Sequence, residues 1–173
     1  MPRRLNIGGE TSHPDWEILN IQPGEFADHV GNAEDLSQFA DETFDEIYAS
    51  HILEHFDFDG SLQNALKEWH RILKPNGKLY ISVPDMDILC QLFLTQPSLL
   101  AEERFHIMKM MFGAHSDKHD YHYIGFSSDI LNYFLGKAGF TNAKRVKEFG
   151  IFEDTSILCM KGIPISLNVI VSK

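Results

Sequence analysis

The chain has 173 residues, 43% of them hydrophobic, enough for one domain with a sizeable core. Its 25 Asp and Glu against 15 Lys and Arg give a formal net charge of −10, which speaks against nucleic acid and against an anionic membrane surface, since both recognise clustered cations. There is no apolar run of about 18 residues and no signal peptide. Cys90 and Cys159 lie in apolar stretches as reduced packing residues, so a cytoplasmic enzyme or binding protein is expected.

Taken in order, Leu5–Ile7 reads as a short strand running into Gly8-Gly9-Glu10, where two glycines permit either a tight turn or a close backbone approach to a ligand. Ile18–Ile21 is the next apolar run and Asp28–Val30 a marginal third. The connections are short: nine residues from Gly9 to Glu17, including Pro14, and fewer from Gln22 to Ala27, broken by Pro23-Gly24. A parallel crossover normally takes about a dozen residues or more, mostly helix. Parallel neighbours here would be joined by loops or single turns, and one face of the sheet would lack helical cover. Asn32–Phe39 is expected to form one short helix, and Asp41-Glu42-Thr43 a turn.

The segment Phe44–Pro84 is the clearest. Phe44–Ser50 and Lys78–Val83 are bounded apolar runs suited to buried strands. Between them Leu62, Ala65, Leu66, Trp69, Ile72 and Leu73 fall on one stripe of a helix. That helix must stop at Leu73 or Lys74, because the residue before Pro75 is pushed out of the α region, and Pro75-Asn76-Gly77 then predicts a tight turn with Gly77 at positive φ. Strand, helix, turn, strand is a βαβ unit, and parallel sheets bind ligands beyond the carboxyl ends of their strands. For the first of these strands that end is Ala49-Ser50-His51, followed by Glu54 and His55.

Met86–Thr95 and Ser98–Phe112 are two apolar helical segments separated by Pro97. The second is hydrophobic nearly all round, so it is expected to be buried over the bare sheet face or to pair two subunits. Gly113–Phe126 is a loop dense in His and Tyr. Ser127 predicts an N-cap for a helix carrying Ile130, Leu131, Phe134, Leu135 and Ala138 on one face, closed by Gly139. Thr141–Phe149 and Ile165–Val171 are the last strands, expected as an antiparallel pair at an edge.

Three constellations could carry chemistry. His51-Ile52-Leu53-Glu54-His55 matches H-x-x-E-H, in which both His would share a helical face and bind zinc for a hydrolase; the motif follows a buried strand directly and has no third ligand helix. His115, Asp117, His119, Asp120 and His122 could bind a metal, but a polar rim without an ion is the favoured reading, and no metal ligand is assigned. No Ser-His-Asp arrangement, G-x-S-x-G elbow or P-loop lysine stands out.

Leu5–Glu10, Asn32–Leu36, Phe44–Phe56 and Leu73–Asp85, in this order and spacing, resemble the class I S-adenosylmethionine-dependent methyltransferases. The later stretch FGAHSDKHDYHYIGFSSDILNYFLGKAGF resembles the C-terminal part of small predicted bacterial methyltransferases of the type 11-like group. The resemblance implies an α/β fold: a Rossmann-like, doubly wound, mostly parallel seven-stranded sheet with an antiparallel C-terminal strand, here with the helices after strands one and two reduced or absent. It implies one methyltransferase-like domain over residues 1–173, with 86–126 as a helical and loop insertion that covers the site or forms the acceptor site.

Carried over residue by residue, the resemblance implies that Gly8, Gly9 and Glu10 face the methionine end of the cofactor. Asn20 would meet the ribose hydroxyls, and Asn32 the adenine amino group with the Ala33 backbone beside it. Ser50 and His51 would line the floor near the methyl group. The family's second glycine is Glu10 here, and its two acids are Asn20 and Asn32. These departures lead to an expectation of weaker cofactor affinity. The expected activity is methyl transfer to an oxygen of a small molecule or glycan, with His51 as first candidate base, His55 as second, and His119 and His122 after them. A homodimer through the apolar 86–112 segment is expected. The alternative is a non-catalytic binding or assembly protein on a degenerate methyltransferase scaffold.

Overall fold

The computed structural model describes residues 2–95 and 99–173. The expected break at Pro97 and helix start at Ser98 lie outside the described residues. Seven strands form one sheet in the order β3 (His29–Val30), β2 (Glu17–Asn20), β1 (Arg4–Ile7), β4 (Phe44–Ser50), β5 (Leu73–Pro84), β9 (Ser166–Ser172) and β6 (Thr141–Val146). β1 to β5 pair in parallel; β9 runs antiparallel to both β5 and β6. The mostly parallel doubly wound sheet with its antiparallel last strand is therefore as expected. β6 ends at Val146, short of the expected Phe149, and a small hairpin, β7 (Cys159–Met160) with β8 (Ile163–Pro164), precedes β9.

The helical face is built as the periodicity requires. In α1 (Ser61–Ile72), Leu62, Ala65, Leu66, Trp69 and Ile72 are all buried, packed with Ile47 and Ala49 of β4 and Leu79 and Ile81 of β5. Burying each large side chain stabilises by about 1.5–3 kcal/mol. α4 (Ser128–Ala138) adds Leu131, Leu135 and Ala138 to the same core. Gly139 closes α4 at φ 100°, and Phe140 N–H donates to Leu135 O at 3.1 Å, a Schellman-type end. Ser127 has the extended N-cap backbone, but its hydroxyl donates to the Asp129 carboxylate and not to the helix.

No helix joins β1 to β2, β2 to β3, or β3 to β4. The helix expected over Asn32–Phe39 is a series of turns, because its carbonyls are claimed from outside. Arg71 on α1 donates to Leu36 O and Phe39 O, both at 3.0 Å, and to Glu68 and Asp41. The guanidinium replaces intrahelical bonds as the binder of this connection. At Pro75-Asn76-Gly77 the expected tight turn is a wide bulge in β5, between the pairs Phe44↔Leu73 and Glu46↔Lys78, and Asn76 takes the positive φ of 64°.

The helix-free face has cover from elsewhere than α2 (Met86–Thr95) and α3 (Ala101–Phe112). Tyr48 and Tyr80 are paired neighbours on that face. Trp16, Phe149 and Phe152 close over them with ring centroids 4.7–6.4 Å apart. Each such edge contact contributes about 0.5–1.5 kcal/mol. α2 and α3 instead form a separate small core with Ile163 and Ile165, in which Leu89, Leu92, Leu99 and Ile107 are buried. Within α3 Ile107 is the buried side chain, whereas Phe105, Met108 and Phe112 are exposed, so the expected burial of this segment over the bare sheet face is not seen. Cys90 and Cys159 are free and exposed, so they are not packing residues.

Candidate active site

The exits of β1, β2, β3 and β4 open into one cleft of about 1280 Å³. Gly8, Gly9, Glu10, Asn20, Asn32, Ala33, Ser50, His51 and His55 all line it. At one end the glycine loop is held by its neighbours. Gly8 has φ 81°, its N–H donates to Leu19 O at 2.7 Å, and a Cβ there would lie 2.1 Å from Ile52. A Cβ on Gly9 would lie 2.6 Å from Asn6. Gly8 is required by its positive φ, whereas Gly9 lies close against the Asn6 side chain. Asn20 Nδ2 donates to Gly9 O at 3.0 Å and Asn20 Oδ1 accepts from Gln22 N–H at 2.9 Å. This gives a reason for an amide where an acid was expected: a carboxylate could not donate to Gly9 O. One amide hydrogen and one lone pair remain for ribose hydroxyls.

Asn32 Oδ1 accepts from Glu34 N–H at 3.1 Å, an Asx turn that leaves its amide nitrogen free of that bond. The Ala33 carbonyl is taken by Trp69, whose indole N–H donates to it at 2.9 Å, so the turn at Asn32 and Ala33 is tied to α1. Ser50 Oγ lies 3.2 Å from Thr155 Oγ1, and Tyr48 donates to Asp154 at 2.7 Å. These bonds bring residues 151–155 in as a wall that the sequence did not single out. Burial pushes the Tyr48 hydroxyl well above its ordinary range, so it is a fixed donor.

The other end is built from titratable groups. His51 follows β4 at φ 55°, with its N–H donating to Ser82 O at 2.8 Å. A single 3₁₀ turn, Leu53–His55, comes next, so the two His of the H-x-x-E-H pattern do not share an α-helical face, and the hydrolase reading loses its geometry. Ser166 Oγ donates to Thr155 O at 2.8 Å and therefore accepts from His51 Nε2 at 3.1 Å. His51 Nδ1 faces Glu54 Oε1 at 3.3 Å. Both ring nitrogens are turned into the protein, which suits His51 to positioning Glu54. His55 Nδ1 lies 3.1 Å from Tyr121 O; a carbonyl only accepts, so Nδ1 carries the proton and Nε2 keeps its lone pair.

Glu54 is 1% exposed. Burial raises its carboxyl, but the surrounding His51, His55 and His122 outweigh that and hold it below the ordinary carboxylate range. Burial lowers His122 from its ordinary value, against the pull of Glu54. The loop 113–126 reaches the site through Tyr123, whose N–H donates to Glu54 O at 2.8 Å, and its residues Ser116–Asp120 and Tyr123 line the cleft. Lys118 is the one Lys or Arg among the described lining residues, against seven carboxylates: Glu10, Glu34, Asp57, Asp117, Asp120, Glu153 and Asp154.

Residues 16–81 match the sequence profile of the methyltransferase domain family. The fold is shared with a SAM-dependent methyltransferase from Archaeoglobus fulgidus, at 16% identity and a TM-score of 0.62, covering 99% of this chain and 86% of that one. The chain has the fold of the S-adenosylmethionine-dependent methyltransferases. A Thermotoga maritima structure described as a possible histamine N-methyltransferase is 19% identical with a TM-score of 0.58, covering 100% and 83%. The Burkholderia thailandensis 1,6-didemethyltoxoflavin-N1-methyltransferase, solved with S-adenosylhomocysteine, is 16% identical with a TM-score of 0.58, covering 99% and 70%. No curated protein matches the sequence. Among the described residues no helix is long and apolar enough to cross a membrane.

The methyltransferases that share this fold depend on S-adenosylmethionine, and the residues present fit that cofactor. The amides of Asn20 and Asn32 retain free valences, and the carboxylate-rich lining suits a cofactor bearing a sulfonium and an ammonium. The sequence missed Trp69 as the clamp on the adenine end and the wall at 151–155. The first had no local signal, since its partner Ala33 lies 36 residues away.

Proposed function

We propose that the chain methylates a hydroxyl oxygen of an uncharged small molecule or sugar, with His55 as the catalytic residue that takes the hydroxyl proton. The observation that carries this is the His55 ring: Nδ1–H is committed to Tyr121 O, so Nε2 is an acceptor in a residue lining the cleft. Gly8, Gly9 and Glu10 would hold the methionine end of S-adenosylmethionine, Asn20 the ribose, Asn32 and Ala33 the adenine, and Ser50 the floor. Bound, the cofactor supplies a methyl carbon activated by its sulfonium leaving group. The chain's own task is then alignment of the acceptor and removal of one proton. His51, whose two ring nitrogens face Ser166 and Glu54, is left to a structural place beside the 3₁₀ turn. With Lys118 the one strong cation of the lining, nothing recommends an anionic acceptor.

Calorimetry with S-adenosylmethionine tests the binding half; no heat and no thermal shift at millimolar cofactor would sink the reading. His55→Asn tests the chemical half. It should retain cofactor affinity and lose on the order of 10²–10⁴ in kcat, the usual worth of a positioned base. Full turnover in that variant would move the base elsewhere.

A further inference from the structure

We propose that Glu54, His55 and His122 form a binding site for a divalent transition-metal ion of the zinc class, directly behind the cleft wall that His55 lines. One ligand atom from each of the three can be chosen so that all lie within 4.8 Å of one another. They come from two elements that the chain brings together: the 3₁₀ turn after β4 and the loop 113–126.

Both imidazoles are already oriented as metal ligands. His55 Nδ1 lies 3.1 Å from Tyr121 O, and His122 Nδ1 lies 3.1 Å from Met110 O. Each ring donates one N–H to a backbone carbonyl and so presents the lone pair of its other nitrogen. That is the arrangement by which proteins fix the tautomer of a ligating histidine. The rings meet edge to face with centroids 4.8 Å apart.

The independent observation is Glu54. Its carboxylate is removed from water, and among the described residues neither of its oxygens receives a hydrogen bond. A buried carboxylate without such bonds is costly unless a cation lies against it. His51 Nδ1, at 3.3 Å, is the nearest candidate, but His51 Nε2 already donates to Ser166, so the ring supplies charge only when doubly protonated. A divalent ion satisfies Glu54 without that proton.

Two imidazole nitrogens and one carboxylate oxygen suit zinc and its neighbours more than magnesium or calcium. Three protein ligands with a fourth position open is the pattern of a catalytic ion, not of a structural one. Ligand atoms about 2.0–2.2 Å from one ion stand roughly 3.3 Å apart, so the side chains close in by about an ångström on binding. The use of the ion rests on the methyl-transfer reading, but its binding does not. Where the ion is bound, His55 would be a ligand and not the base, and the ion would take over that task by lowering the pKa of an acceptor hydroxyl at the remaining position, whose proton passes to solvent; the role of His55 as base then belongs to the metal-free chain.

The test is titration of chelator-stripped protein with zinc chloride by calorimetry, and with cobalt chloride by visible absorption. One equivalent should bind at micromolar affinity or better, cobalt should give the intense bands of a four-coordinate site, and the melting temperature should rise. Glu54→Gln and His122→Gln should each weaken binding at least about tenfold, whereas His119→Gln should not. Absence of binding overturns the proposal. So does binding that both variants leave intact, or that His119→Gln abolishes, since either places the ion on the exposed loop histidines. If one variant fails to fold by circular dichroism, the other decides. Zinc binding without any response to S-adenosylmethionine would sink the methyl-transfer reading and uphold the site. Methyl transfer by a chain that takes up no zinc would do the reverse.

Discussion

Restoring an acid at the ribose position should weaken this protein. Asn20→Asp keeps the acceptor for Gln22 N–H but removes the N–H that donates to Gly9 O at 3.0 Å, and sets a carboxylate oxygen against that carbonyl. A lost hydrogen bond costs about 0.5–1.5 kcal/mol, and the unpaired carbonyl facing an anion brings the total to about 1–3 kcal/mol. In a domain of this size that is a fall of roughly 3–10 °C in melting temperature. The Gly8-Gly9 loop, released from β2, should also bind S-adenosylmethionine about fivefold or more weakly, even though a carboxylate is the residue that the superfamily resemblance implies there. Thermal unfolding and calorimetry at pH 8 measure both. The deficit should narrow below about pH 4, where a protonated carboxyl donates again. Tighter cofactor binding with an unchanged melting temperature would refute the reasoning, because the Asn20–Gly9 bond would then hold nothing.

Arg71→Ala should destabilise by about 2–4 kcal/mol in urea, since it frees Leu36 O and Phe39 O and unpairs Glu68; a loss below about 1 kcal/mol would mean the 33–43 connection has other support. The pH dependence of melting should have two limbs. Burial and then Lys173 lower His70, and burial lowers His122, from 6.5. Above that value neither state is charged there; below it the unfolded chain takes up protons that the folded chain refuses, so stability falls from about pH 6.5 downward. Arg71 holds Glu68, and Arg3 holds Glu17, below 4.5, so their contribution is present above that value and is lost as pH falls through the folded values. A melting temperature that rises between pH 6.5 and 5 would contradict the first limb, and His70→Gln should flatten part of it.

What was legible in the sequence was whatever had a period or a spacing of its own. The stripe Leu62 to Ile72 and the runs flanking it specified β4, α1 and β5, because each residue's burial depends on its neighbours three or four positions away. Asn32–Phe39 misled for the opposite reason: its carbonyls are satisfied by Arg71, about thirty residues on, which no local propensity encodes. The bare face was foreseen from the short crossovers, but its cover was sought in the apolar 86–112 segment, when it comes from Trp16, Phe149 and Phe152. Those three rings share no period, and their partners Tyr48 and Tyr80 looked like ordinary strand residues. His51, Glu54 and His55 were legible as a cluster. His122 was visible as one of several loop histidines, and its convergence on Glu54 depends on how loop 113–126 folds back across the 3₁₀ turn.

The two ends of the cleft therefore rest on different physics. At the glycine-loop end the groups that hold the backbone in place are neutral amides, an indole and backbone groups of Asn20, Trp69, Gly9 and Gln22, and their free energy is that of hydrogen bonds made or missed. Changes there should appear as changes in stability and affinity with little dependence on pH. The end beside the 3₁₀ turn is made of one buried carboxylate and three imidazoles, where low dielectric magnifies every charge. A proton or a metal ion added or removed at that end alters the others at once, so its state should follow pH and metal supply while the fold stays put. No helix lies between the first three strands, and Arg71 and the Trp16 aromatic layer tie the connection after β3 and the strands β4 and β5 together from outside those connections.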